Sequence, residues 1–215
     1  GVHLFMLVIL VFVSFNYLLG CLYTDRKDRS ILFWRSLPVS ARDEVLAKLA
    51  VALLVAPGIF IAASLLVQLA TVLLAMLLVL RMDLDPFAVV LGNVQFGRLL
   101  LDQFGGWVLN ALWVLPVYAW VMLASAAARR SPFLLAVTPV LGLLVLEAIL
   151  LGSNHFGTAI MNHMPQHTSD SSAAGFHLLG PDWANLDYLG LVLGLLVAGV
   201  LLAATVWLRR YRWEI

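Results

Sequence analysis

Thirty-two consecutive residues, 49–80, contain no Asp, Glu, Lys or Arg. About 20 such residues in a helix cross a hydrocarbon core of about 30 Å, and in water so long an apolar run would find nothing to cover it. The condition recurs along the chain. Residues 1–24, 103–128 and 188–208 carry no charge, and 131–152 carry one, Glu147. Hydrophobic residues make up 63% of the sequence and charged residues 12%, against about half and about a quarter in a soluble domain. The chain therefore reads as an integral membrane protein. The expected fold is all-α: a polytopic transmembrane helical bundle forming one domain over 1–215. Five spans are expected, at about 2–23, 49–80, 107–128, 133–152 and 188–208. As a helix rising 1.5 Å per residue, the second would reach about 48 Å. It must tilt, break or project, and Pro57-Gly58 marks the place for a kink.

Ten of the twenty-five charged residues lie between Asp25 and Lys48. A dense charged segment between two apolar runs is a water-facing loop, here 24–48. Its centre, Ile31-Leu32-Phe33-Trp34, is too apolar for a merely solvated loop. Asp28 or Ser30 can cap a short helix running through Ser36, with Pro38 ending it. Ser40 followed by Asp43 is close to a capping box, so a new helix is expected to begin at Ala41 and run straight into the second span. Residues 81–106, with Asp83, Asp85, Pro86 and four glycines, read as a second loop holding a short interfacial helix at about 86–103. Residues 153–187 read as a polar loop.

The basic residues set the orientation. Loop 24–48 carries six, the 129–130 turn two and the tail three, whereas the other side has only Arg81 and Arg98. Eleven against two places the 24–48 loop and the C-terminus in the cytoplasm and the 153–187 loop outside. Arg209, Arg210 and Arg212 then read as an anchor facing anionic lipid. Tryptophans near the span ends fit interfacial belts. Gly1 falls outside, so one further upstream span would return the N-terminus to the cytoplasm, and the chain reads as an N-terminally trimmed part of a longer protein. The single cysteine, Cys21, permits no internal disulfide.

Catalytic signatures are missing. Neither lysine, Lys27 or Lys48, follows a glycine-rich phosphate loop, and there is no Gly-x-Ser-x-Gly elbow or His-Glu-x-x-His. The chain is not expected to be an enzyme. Glu147 is the one acid inside an expected span. Burying a carboxylate there is expensive, which makes it a candidate for a pathway or gate, although it lies near the outer end, where a structural partner or water can serve it. His155, His163 and His167 invite a metal reading, but Pro165 breaks the helical register between the last two, and no metal site is expected. An alternative function built on these groups is a membrane enzyme or metal-handling protein using Glu147 and the external-loop histidines.

The 24–48 loop has two physical readings. It can be an amphipathic helix lying on the inner leaflet with Phe33 and Trp34 as anchors, or a short helix seated in a groove of a cytoplasmic partner. The run Tyr17-Leu18-Leu19-Gly20-Cys21-Leu22-Tyr23, then Asp25 through Ser40 with its Ser36-Leu37-Pro38-Val39-Ser40 element, then Glu44-Val45-Leu46-Ala47-Lys48, resembles the first cytoplasmic loop of ABC transporter permeases of the type 2 exporter class. The resemblance covers about thirty residues. It implies six spans, of which five are visible here, and a short cytoplasmic coupling helix at about 28–36. It implies that Asp28, Arg29, Ile31, Leu32, Phe33, Trp34 and Arg35 seat on a cytoplasmic ABC ATPase subunit, which would bind ATP and Mg, this chain holding no cofactor. It further implies a second permease copy or homologue, a bacterial cytoplasmic (inner) membrane and no nucleic acid. Members of the family carry short helical hairpins before the last span; the 153–187 loop is longer and more polar. Aliphatic spans with few polar groups lean toward a lipidic or amphipathic cargo.

The orientation is checked with single cysteines in a Cys21→Ser background. Ser169→Cys should react with a membrane-impermeant maleimide in intact cells, and Ser131→Cys only after permeabilisation.

Overall fold

The computed structural model describes residues 2–28, 39–82, 84–90, 92, 96–163 and 187–211, and all regular structure among them is helical. Helix α1 (Val2–Cys21) breaks at Leu22 and resumes as the short α2 (Tyr23–Lys27). Helix α3 (Ala41–Ala50) passes through a π-helical turn (Val51–Val55) into α4 (Ala56–Leu80), giving forty residues of helix without interruption. A single turn, α5 (Pro86–Val89), precedes the long α6 (Phe96–Ala127). Helices α7 (Pro132–Leu150), α8 (His155–Asn162) and α9 (Tyr188–Tyr211) complete the chain. Ala41–Leu80, Phe104–Ala127, Pro132–Leu150 and Tyr188–Tyr211 are long and apolar enough to cross a membrane, and the protein is membrane-embedded. Helix α1, with twenty residues and no charge, extends about 30 Å.

The start of α3 is set locally. Ser40 Oγ accepts from the Asp43 N–H at 3.1 Å and donates to the Asp43 carboxylate at 2.7 Å, satisfying an orphan donor of the first turn. The helix therefore begins at Ala41, as the Ser40–Asp43 spacing predicts. Ser131 caps α7 through the Leu134 N–H, and Asp187 caps α9 through the Gly190 N–H at 2.9 Å.

Two expectations change, and a third lies almost wholly outside the described residues. The interfacial helix expected at 86–103 is replaced by the one-turn α5 and the opening turns of α6, which runs on through Gly105 and Gly106. Glycines punctuate soluble chains but are common inside membrane helices, and Gly106 is buried. The 153–187 loop opens with a helix, α8, whose residues 155–162 are not strongly polar; residues 164–186 lie outside those described. Of the helix expected from Asp28 or Ser30 through Ser36, only Asp28 is described. It closes α2, its N–H donating to the Thr24 carbonyl at 2.9 Å.

Helix α6 is central, packing against α9, α1 and α7. Half of its membrane-length segment is buried, against 6% for α7. Burial is concentrated at one end of the bundle. The largest fully buried side chains, Leu18, Leu22, Val45, Met122, Val121 and Thr205, lie in the C-terminal halves of α1, α6 and α9 and at the start of α3. This end also carries Arg26, Arg42, Lys48, Arg130 and Arg209, and is here called the basic end. Away from it α4 and α7 stand apart, with Leu66, Leu73, Leu77, Ile149 and Leu150 each more than half exposed. Helix α9 packs most extensively on α6. A Cβ at Gly194 would fall 2.6 Å from His163 Nε2, so glycine leaves room for that ring, while Pro116 Cγ of α6 would lie at an ordinary contact distance of 3.6 Å.

The π-helical turn lies just before Pro57. Proline has no N–H, which removes the α-helical donor to the carbonyl four residues earlier, that of Leu53. Trp107 of α6 supplies one: its Nε1–H donates to the Leu53 carbonyl at 3.1 Å. An unpaired carbonyl is costly away from water, so the indole both heals the helix and ties it to α6. Trp120 Nε1 also ties α6 to a helix backbone, donating to the Ala136 carbonyl of α7 at 3.0 Å. Trp107→Phe should destabilise the protein by about 1–2 kcal/mol in denaturant unfolding in bicelles. The loss should shrink in a Pro57→Ala background, where position 57 regains its N–H.

Candidate functional site

At the basic end, helix polarity dictates which charges gather. Helices α1, α6 and α9 all point their C-termini there, and unpaired C-terminal carbonyls favour cations. Lys48 Nζ donates to the carbonyl of Cys21, the last residue of α1. Arg26 Nη2 donates to the carbonyls of Ser125 and Ala128 at the end of α6, each at 2.8 Å. Helix α3 starts at this end, and its first turn carries acids, Asp43 and Glu44, as a helix N-terminus favours.

The cations meet carboxylates from two elements. Arg209 of α9 is only 4% exposed. Its Nη2 lies 3.0 Å from Asp25 Oδ2 and 2.5 Å from Glu44 Oε1, and its Nε lies 3.2 Å from Glu44 Oε2. The guanidinium thus grips Glu44 with two nitrogens, the planar fork that suits a carboxylate. Lys48 pairs with the same Asp25 oxygen and lies 3.8 Å from Glu44 Oε1, one helical turn away. Among the described residues, two cations and two carboxylates therefore meet in one cluster joining α2, α3 and α9. Taking charges out of water costs more than one pair returns unless hydrogen bonds complete the shell, and here the shell is built from forked and shared contacts.

Beneath the cluster, Ser125 of α6 is fully buried. Its Oγ donates to the Leu19 carbonyl at 2.7 Å and accepts from the Leu22 and Tyr23 N–H groups at 3.3 and 3.1 Å. These are the backbone groups left open where α1 breaks into α2, so one hydroxyl holds the break against α6. Outside it, the Tyr23 hydroxyl donates to the Arg130 carbonyl at 2.7 Å. Asp25, Arg26, Glu44 and Lys48 flank residues 29–38 on both sides, so both stems of that segment are anchored to the bundle.

Of the residues expected to seat on a partner, Asp28 is exposed at the end of the first stem; Arg29, Ile31, Leu32, Phe33, Trp34 and Arg35 lie outside the described residues. The reading of Arg209 as a lipid anchor is corrected: its side chain turns inward onto Asp25 and Glu44. Arg210 does point outward, with its guanidinium 5.4 Å from the Tyr211 ring centre. One sequence signal marked the difference. Gly194, Ala198, Thr205 and Arg209 are spaced by four, seven and four, and so share one helical face, the buried one.

Glu147 sits at the opposite end of the bundle as the cap of α8. Its carboxylate accepts from Ser153 Oγ at 2.9 Å, from the His155 N–H at 2.6 Å and from the Phe156 N–H at 3.0 Å. A carboxylate on a helix N-terminus is stabilised by backbone donors and dipole together. The histidines do not converge. The His155 ring is largely exposed, with Nδ1 3.7 Å from Glu147 Oε1. The His163 ring, beyond the other end of α8, stacks on Trp113 at 5.7 Å, with Nδ1 2.8 Å from the Ala159 carbonyl. No group of three potential metal ligands occurs among the described residues, and His167 lies outside them.

In comparisons with family models, curated proteins and solved structures, the chain matches none.

Ser125→Ala should cost about 1–3 kcal/mol in unfolding experiments, because it strands buried backbone groups at the α1–α2 break. Tyr23→Phe, which releases only the more exposed Arg130 carbonyl, should cost less in the same assay.

Proposed function

We propose that the chain is the membrane-spanning permease subunit of an ATP-driven ABC exporter of the type 2 class. It forms part of a translocation pathway, while a separate cytoplasmic ATPase subunit binds ATP and Mg. In this reading α1 is a fifth span, the basic end is cytoplasmic in a bacterial inner membrane, and a second permease copy or homologue completes the pathway. Residues 28–36 are the coupling helix, with Ile31, Leu32, Phe33 and Trp34 as its apolar contacts and Asp28, Arg29 and Arg35 at its rim. The cargo is lipidic or amphipathic.

The observation that carries this reading is the continuity of Ala41–Leu80. The helix opens at the Ser40 cap inside the charged loop and reaches the far end of the bundle as forty uninterrupted residues. At 1.5 Å per residue this is about 60 Å, longer than a bilayer core needs, so its first turns stand clear of hydrocarbon. A segment docked on a soluble subunit and joined to such a helix moves a membrane span directly. The sequence resemblance of 17–48 supports the same assignment. The metal-handling alternative gains no support from Glu147, whose oxygens are engaged by α8.

The test is co-purification of an ATPase subunit with the intact protein from its native membrane, followed by measurement of the complex's ATPase activity. Phe33→Asp and Trp34→Asp should each release the subunit and abolish permease-dependent ATPase activity while leaving the bundle's thermal stability unchanged. Retention of the subunit by both variants would overturn the coupling-helix assignment.

A further inference from the structure

We propose that Arg209 is a positioning residue for coupling: it joins both stems of the 29–38 segment to α9, so that displacement of that segment carries the last helix with it. The inference rests on the permease reading and adds to it the route by which motion reaches a second span.

The geometry supports a joint rather than an anchor. Asp25 lies in the stem before the segment and Glu44 in the stem after it, nineteen positions apart. One guanidinium reaches both, with Nη2 bonded to each and Nε to Glu44. Lys48 also spans the two stems, but it reaches back only to Cys21 and Asp25 and so adds no tie to α9. Elsewhere α9 meets the bundle largely through its packing on α6, where its fully buried residues are Gly194, Ala198 and Thr205, with Leu202 and Val206 partly buried against the core. Such apolar packing is non-directional. Arg209 adds a directional contact at the end nearest the loop.

Stability alone does not account for the arrangement. A buried ion pair is often no more stabilising than apolar groups of the same volume, whereas fixing register is the best-attested use of such pairs. The neighbouring Arg210 already serves the exposed surface. The direct lever through α3 and α4 would, by itself, leave α9 behind when the loop moves. With Arg209 in place, α2, α3 and α9 are joined at the base, where Arg26 and Ser125 tie the same unit to the end of α6.

The experiment uses the intact complex with its ATPase subunit, carrying Leu189→Cys in a Cys21→Ser background. Leu189 is 73% exposed at the far end of α9. The rate of its modification by a water-soluble maleimide is compared between the nucleotide-free and the ATP–vanadate-trapped states. The charge-balanced pair Arg209→Met with Glu44→Gln removes the α3–α9 joint but keeps Asp25 with Lys48. It should fold, bind the ATPase subunit and hydrolyse ATP at the basal rate, yet lose the nucleotide-dependent change in modification rate. Arg209→Lys, which keeps the charge but not the fork, should retain part of that change, and it replaces the pair as the test if the pair does not fold. A full nucleotide-dependent change in the variant tested would overturn the joint while leaving the permease reading intact. If wild-type protein captures no ATPase subunit, the permease reading itself is overturned, and the joint with it.

Discussion

A single guanidinium, that of Arg209, touches carboxylates that lie 165 and 184 positions away in sequence. Much of the organisation at the basic end follows from satisfying that arrangement. Helices α1, α6 and α9 end there with carbonyls left over, α3 and α7 begin there with N–H groups left over, and helix polarity fixes which sign each end accepts. Lys48 serves α1, Arg26 serves α6, Glu44 lies in the first turn of α3, and Arg209 closes the set from α9. The signs are the ones helix dipoles require. Together these contacts turn four chain ends into one rigid base, with Leu18, Leu22, Val45 and Met122 packed beneath it without solvent contact.

Above that base the structure loosens. Helices α4 and α7 expose most of their aliphatic side chains, as spans facing lipid or another membrane subunit do. Tight packing at one end and separation at the other suit a bundle whose moving parts pivot at the base. The π-helical turn and Pro57 fall where the long helix passes from the packed region to the open one. Trp107 keeps that passage from becoming a loose hinge by pairing the carbonyl that proline leaves without an α-helical donor.

Much of this was legible in the residue order. Uncharged runs placed the long helices, because the spacing of charges along a membrane protein mirrors the bilayer. Ser40 and Asp43 placed the start of α3 to the residue, because an N-cap is a local hydrogen bond between side chain and backbone. The second loop was misjudged because Gly105 and Gly106 carry one meaning in water and another inside a membrane helix. Arg209 was misjudged for a different reason. Near a span end, basic residues normally meet headgroups, and only helical phase relative to Gly194 and Ala198 separates Arg209 from Arg210. The carboxylates that receive it come from another part of the chain, and composition and local spacing carry no information about such pairings. Ser125 is still harder to find, since a serine in an alanine-rich stretch gives no sign that it will bridge a broken helix from a distant element.

The cluster also has a consequence for biogenesis. Asp25 and Glu44 are made early, and the cation that grips both is made last of the helices described. Until α9 has been synthesised and inserted, the stems before and after residues 29–38 lack the guanidinium that joins Asp25 to Glu44. Arrival of α9 supplies it, so the same ion pairs that fix the mature base also register that synthesis has passed Arg209.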